Sequence, residues 1–268
     1  MNTKKSPAAR IWYVIYPFLY YYAVMLIVMT IAQWVFGADN EHFVMCQLTS
    51  TVITIPFMIP IYRQDRALAG IAPEKLWITK EKLLHSVMVI LTVACISIAL
   101  NNIISMTPLI SLSLGYQEAN AGFYGSTLAM ELISSALFTP ILEELVFRGI
   151  IFGRLKTVIP KYMAVFVSAL VFAAVHYNIV QFIYALLLGI VLALVMEKAG
   201  NVYVAVVGHI TANFIAVVRT ETGILDRTVR GDAFSWIISV GLLLMGLLGM
   251  FLYLMKLCKT NCIKCSEK

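Results

Sequence analysis

Apolar residues in this chain come in long unbroken blocks, separated by short polar clusters, rather than in the two-residue alternation of strands or the one-sided stripe of a soluble helix. A membrane span needs about 20 mostly apolar residues. On that length the blocks predict eight helical spans, at about 11–36, 42–62, 83–106, 127–152, 162–179, 180–197, 202–218 and 233–257. The fold class that follows is all-α, a polytopic membrane protein in one integral domain over 1–268. The four spans between about 127 and 218 form a core helical bundle. The only long polar insertions are 63–82 and 107–126, and Gly115 to Gly125 predicts a flexible outer loop. There is no internal repeat and no low-complexity run.

Composition agrees with lipid as the solvent. The 268 residues are 61% hydrophobic and 13% charged, against about 45–50% and about 25% in soluble domains. Basic residues fall on alternate connections. Lys4, Lys5 and Arg10 precede the first span, Arg63, Arg66, Lys75, Lys80 and Lys82 lie between the second and third, and Arg154, Lys156 and Lys161 follow the fourth. Lys256, Lys259, Lys264 and Lys268 end the chain, whereas Ala38 to Glu41 and Thr107 to Ser126 carry no Lys or Arg. By the positive-inside rule both termini face the cytoplasm of a plasma-membrane protein. Arg219, Arg227 and Arg230 run against the pattern, in company with Glu221, Asp226 and Asp232. The net charge of +6 is dispersed over loops, so it reads as topology and predicts no nucleic-acid partner. The first block exceeds a 7–15 residue signal-peptide core and is expected to stay as a span.

Cys46 and Cys95 lie in spans, and Cys258, Cys262 and Cys265 in the cytoplasmic tail, where thiols stay reduced. No structural disulfide is expected. The three tail thiolates fall one short of a closed tetrahedral metal site, and a juxtamembrane cysteine is a candidate for reversible acylation. The Tyr13, Tyr16, Tyr20, Tyr21 and Tyr22 cluster reads as an aromatic belt with helix packing.

Against this background Glu143, Glu144 and Arg148 stand out, because an ionisable group at the centre of a span costs about 2.5–3.5 kcal/mol on insertion scales. Two more pairs follow in apolar blocks, Phe172 with His176 and His209 with Asn213. Adjacent glutamates point about 100° apart on a helix, so they cannot share one task. Glu144 and Arg148 are i and i+4 in the favourable order for an ion pair, which assigns them an orienting role. Glu143 then faces a pocket, on the side of Phe147. Pro140 removes a backbone hydrogen bond one turn earlier and opens the helix. Glu143 and His176 are nearly equidistant from the turn at Pro160, which predicts that carboxylate and imidazole face each other across a hairpin. The site is expected to open towards the cytoplasmic half. Phe172 is expected to pack, Glu131 to sit at the outer edge, and His85 at the cytoplasmic interface.

Peptide hydrolysis needs a base for water and donors for the oxyanion in a dry place. Glu143 with His176 suits the first task and His209 with Asn213 the second, with neither cofactor nor metal. Two His and a Glu also suit zinc, although no His-Glu-x-x-His helix is present. A non-catalytic immunity factor or a proton-coupled carrier would use the same intramembrane charges differently. Serine chemistry lacks a Gly-x-Ser-Gly pattern, and the chain's four Asp residues, Asp39, Asp65, Asp226 and Asp232, lie outside the predicted spans.

The ordered set Glu143-Glu144-x-x-x-Arg148, Phe172-x-x-x-His176 and His209-x-x-x-Asn213 resembles the signature of the CAAX protease and bacteriocin-processing (Abi) family of intramembrane glutamic endopeptidases. The resemblance covers about 127–218. It implies a multi-helix membrane core in which Glu143 acts on water and His176 assists. His209 and Asn213 then hold the oxyanion, and Glu144 and Arg148 orient. The implied partners are the lipid bilayer and a peptide or lipidated-peptide substrate, prenylated or bacteriocin- or pheromone-like. The family's roles span maturation, immunity and signalling, and no motif outside the core names a substrate.

Overall fold

Long helices start where a side chain accepts a free N–H of the first turn. Ser6 accepts from Ala9, Asp39 from His42, Thr79 from Lys82, Asn178 from Gln181 and Asn201 from Val204. The computed structural model describes residues 6–72 and 79–266, the side chains of residue 81 and of 256–266 excepted. Lys75 and the thiols of Cys258, Cys262 and Cys265 lie outside what is described.

The order is α1 (Pro7–Phe36), α2 (Asn40–Leu68), α3 (Lys80–Ser105), a single turn Leu109–Leu112, α4 (Leu114–Phe123), a central helix α5 over 128–155, α6 (Lys161–Ala174), α7 (Ile179–Ala199), α8 (Val202–Thr222) and α9 (Ala233–Ser266). Six of the described helices are long and apolar enough to cross a membrane: α1, α2, α3 from Lys82, α7, α8, and α9 as far as Met255. The chain is a multi-pass, all-helical membrane protein.

The two remaining predicted spans depart from expectation, each for a physical reason. α5 is a composite rod in which α-helical Leu128–Glu131, Thr139–Glu143 and Gly153–Leu155 alternate with π-helical Leu132–Phe138 and Glu144–Phe152. All residues of Glu144–Phe152 are buried. A helix covered all round sits at the middle of a bundle rather than against lipid, and α5 touches α1, α2, α6, α7 and α8. α6 stops at Ala174 instead of 179, since Val175 to Asn178 turn the chain into α7.

Residues 114–123 are a helix and not the expected flexible loop. Phe123 lies edge-on to Phe43 of α2 at 5.2 Å, and Gly122 sits beneath that same ring. Asp65 and Arg154, both expected among the charges of cytoplasmic connections, form a buried pair. Arg154 Nε donates to Asp65 Oδ2 at 2.6 Å, Nη1 to the Tyr13 carbonyl at 2.6 Å and Nη2 to Tyr16 Oη at 2.8 Å. Its guanidinium also covers the Tyr13 and Tyr16 rings. Those two tyrosines clamp α1 to α5, the packing part of the role expected of the cluster. Glu131, in the first turn of α5, is fully buried, with Oε1 accepting the Ser126 N–H at 3.3 Å.

Small residues bring α3 and α9 together, as in membrane interfaces generally. A Cβ on Gly246 would fall 2.4 Å from Ile96 Cγ1 and 3.1 Å from the Ile96 nitrogen. Gly246→Ala is therefore expected to destabilise the protein by about 1–3 kcal/mol, the usual cost of overpacking. A lowered melting temperature in detergent is the check.

Candidate functional site

The π-helical turns of α5 shift the register of its side chains around the Pro140 break. Insertions of this kind recur at functional sites because they re-aim side chains within an otherwise regular helix. Glu144 Oε1 receives Arg148 Nη1 at 2.9 Å, with both side chains at 0% exposure. The approach is an ion pair by distance and is not aligned as a hydrogen bond. Arg148 Nε and Nη2 and Glu144 Oε2 have no hydrogen-bond partner among the described residues. The guanidinium lies 4.2 Å over the Phe172 ring, a cation–π contact. Gly189 of α7 permits this placement, since a Cβ there would meet Arg148 Nη2 at 3.0 Å.

His209 of α8 joins the two glutamates. Its Nδ1 is 2.8 Å from Glu144 Oε1 and its Nε2 is 3.7 Å from Glu143 Oε2. Because a carboxylate only accepts, Nδ1 carries a proton and Nε2 is directed at Glu143. His209 is thus the imidazole beside the Glu143 carboxylate, and His176 lines the same cavity. His176 lies beyond the end of α6, so the equal-depth argument does not reach it. Its Nδ1 is 2.9 Å from the Phe172 carbonyl oxygen, which places the proton on Nδ1 and leaves a lone pair on Nε2. Asn213, one turn past His209, donates Nδ2–H to the Ser135 carbonyl oxygen at 2.8 Å.

Phe172 is the packing centre of this group. Its ring lies edge-on to Phe147 at 5.1 Å, to His176 at 5.0 Å and to His209 at 5.6 Å. Beside it the backbone of Tyr177 is left-handed, with φ +57°, a rare state for a residue with a ring side chain. The Tyr177 hydroxyl is hydrogen-bonded to that of Tyr22 on α1.

Glu143, His176, His209 and Asn213 all line one cavity of about 650 Å³. Along α8 its wall continues from Asn213 to Ala216 and Val217, and α4 contributes Tyr116 and Phe123. The cavity therefore extends towards the end of the molecule that holds α4, away from the 156–160 turn. The expected opening towards the cytoplasmic half rested on counting residues from the turns, which could not foresee that α4 covers the end opposite the 156–160 turn.

Three contributors escaped the sequence reading. Gln47 of α2 accepts from Ser134 and Ser135 at 3.3 and 3.4 Å, and the Tyr22 and Tyr177 pair closes the wall beside α1. Gln47 was findable as an amide inside an apolar block. The tyrosine pair leaves no mark in sequence spacing, being 155 residues apart. Among the described residues no group of three His, Cys, Asp or Glu side chains is disposed to hold a metal ion.

Residues 125–215 match the family model described as type II CAAX prenyl endopeptidase Rce1-like. A Bacillus subtilis (strain 168) protein named "Putative membrane peptidase YdiL" is 29% identical over 91 residues, 34% of this chain and 37% of that protein. The chain thus matches a little over a third of that relative's length. No solved structure matches it. Both stretches of similarity are the size of the four-helix core, and the family stretch contains every motif residue from Glu143 to Asn213. Through that core the chain is similar to the type II CAAX prenyl endopeptidase family and to a membrane peptidase.

Proposed function

We propose that this protein is an intramembrane peptidase that cuts a membrane-associated peptide by direct attack of water. The observation that carries this reading is the placing of Glu143 and His209 on the wall of one cavity in a helical membrane bundle, with the buried Glu144–Arg148 pair behind His209. Glu143 takes a proton from water as its oxygen adds to the scissile carbonyl carbon, and His176 Nε2 accepts from and orients that water. In this step His209 carries a proton on each ring nitrogen, and its Nε2–H stabilises the oxyanion together with the second amide hydrogen of Asn213. The C–N bond then breaks, and the proton held by Glu143 passes to the leaving amine. Glu144, neutralised by Arg148, fixes the His209 ring through Nδ1.

The description of the matched family and the name of the Bacillus relative support the reaction class. They also favour a lipidated substrate, a prenylated peptide first, which suits a cavity flanked by the apolar Met25, Ile104, Ile110 and Val180. With both termini on the cytoplasmic side of the plasma membrane, the cavity reaches the outer half of the bilayer.

Comparative peptidomics of membranes holding the wild type or a Glu143 variant tests the reading. Peptides that accumulate only with the wild type support it, and identical peptide sets refute it. For the purified protein, cleavage is expected to stay within about two-fold after EDTA treatment. Loss on chelation with recovery on adding zinc would favour a metallohydrolase.

A further inference from the structure

The π-helical segment Leu132–Phe138 has a defined hydrogen-bond register. The Thr139 N–H donates to the Ser134 carbonyl, five residues back. The next rung of that register runs from residue 140 to Ser135, and residue 140 is a proline with no N–H to give. A buried carbonyl left without a donor costs free energy comparable to a lost hydrogen bond. Here it has one, since Asn213 Nδ2 reaches across from α8 and donates to Ser135 O at 2.8 Å.

We infer that the Asn213 amide substitutes for the missing N–H of Pro140, and that it thereby positions Glu143. The carboxylate stands three residues after the proline, so its direction depends on how the helix crosses the break. α8 holds both flanks of that crossing with side chains one turn apart, Asn213 at Ser135 and His209 at Glu143 and Glu144. From the opposite side Gln47 of α2 holds Ser134 and Ser135. A regular helix would need none of these props, whereas a helix that places two glutamates in separate roles needs the break and therefore the substitute donor. This assigns Asn213 a positioning role in addition to any contact with the oxyanion.

The two roles separate because Pro140→Ala restores a backbone donor for Ser135 while offering nothing to an oxyanion. The inference rests on the peptidase reading only for its activity arm. The probe is a fluorogenic peptide carrying farnesylcysteine followed by three aliphatic residues, cleaved by purified full-length protein in detergent.

Asn213→Ala is expected to lower kcat/KM about 10²-fold, the scale of a 1 Å misplacement of a reacting group. Pro140→Ala with Asn213→Ala is expected to lie within about three-fold of Pro140→Ala alone. A positioning loss also moves the acid limb of the pH–rate profile, because it changes the surroundings of the base. Loss of an oxyanion donor lowers the plateau and leaves the limb in place. A double variant as impaired as Asn213→Ala alone, with an unmoved acid limb, overturns the inference.

Melting of the same four proteins decides the matter without activity. Asn213→Ala is expected to lower the midpoint by about 2–4 °C, the scale of one hydrogen bond in a chain of this size, and to change it by less than about 1 °C when Pro140→Ala is present. Equal shifts in both backgrounds refute the coupling. If no protein cleaves the reporter, the peptidase reading or its substrate class has failed, and the melting cycle still tests Asn213 against Pro140.

Discussion

Glu143→Gln is expected to abolish peptide cleavage while leaving the fold unchanged. The amide has the shape of the carboxylate and can still hydrogen-bond, but it cannot take a proton from water. Loss of a general base costs about 10²–10⁴-fold in rate. Stability should hold or rise slightly, because the substitution removes a charge that has been largely withdrawn from water. Glu131→Gln is the control, a fully buried glutamate on the same helix that lies outside the cavity lining. It should retain cleavage. Rates from the purified variants, with melting to show that each is folded, check both expectations. Undiminished activity in Glu143→Gln would sink the assignment of the base.

The largest effect on stability is expected from Arg148→Met. Glu144 would then keep a fully buried carboxylate with His209 as its remaining charged neighbour, and the contact over Phe172 would be lost. Removing one partner of a buried pair costs about 3–5 kcal/mol, whereas replacing both is often near neutral. At about 2–4 °C per kcal/mol for a chain of this size, the single variant should melt on the order of ten degrees lower. Adding Glu144→Gln should recover most of that loss, since the amide oxygen still accepts from His209. Thermal melting in detergent of the two single variants and the double measures the coupling. Additive losses would show that the charges act independently of each other.

Much of the core was legible because membrane sequences are governed by simple costs. Apolar length marked the six long helices, and the i, i+4 spacing marked the Glu144–Arg148 pair. The departures arise where contacts are made between distant segments. That α5 would be buried on every side follows from the company it keeps in the bundle and not from its own hydropathy. The early end of α6 depends on a four-residue turn whose polar residues, His176 and Asn178, were absorbed into a predicted span. His209 lies four residues before Asn213 on its own helix, which suggested a shared task. That spacing gives no sign that its ring also spans two carboxylates 65 and 66 residues away. Arg154 and Asp65 look like ordinary interfacial charges in sequence, and only the convergence of α1, α2 and α5 makes them a buried pair.

α6 has 14 residues, about 21 Å of helix at 1.5 Å per residue, against about 30 Å of hydrocarbon. The turn that follows it carries His176, and with Lys161 at one edge of the hydrocarbon the helix would end short of the other. Such hydrophobic mismatch is relieved by local thinning of the bilayer, which draws the aqueous boundary inward over this one element. A short helix would in that way bring water, the second reactant in any hydrolysis, closer to the glutamates. Turnover should accordingly follow the acyl-chain length of the surrounding lipid, faster in thin bilayers and slower in thick ones.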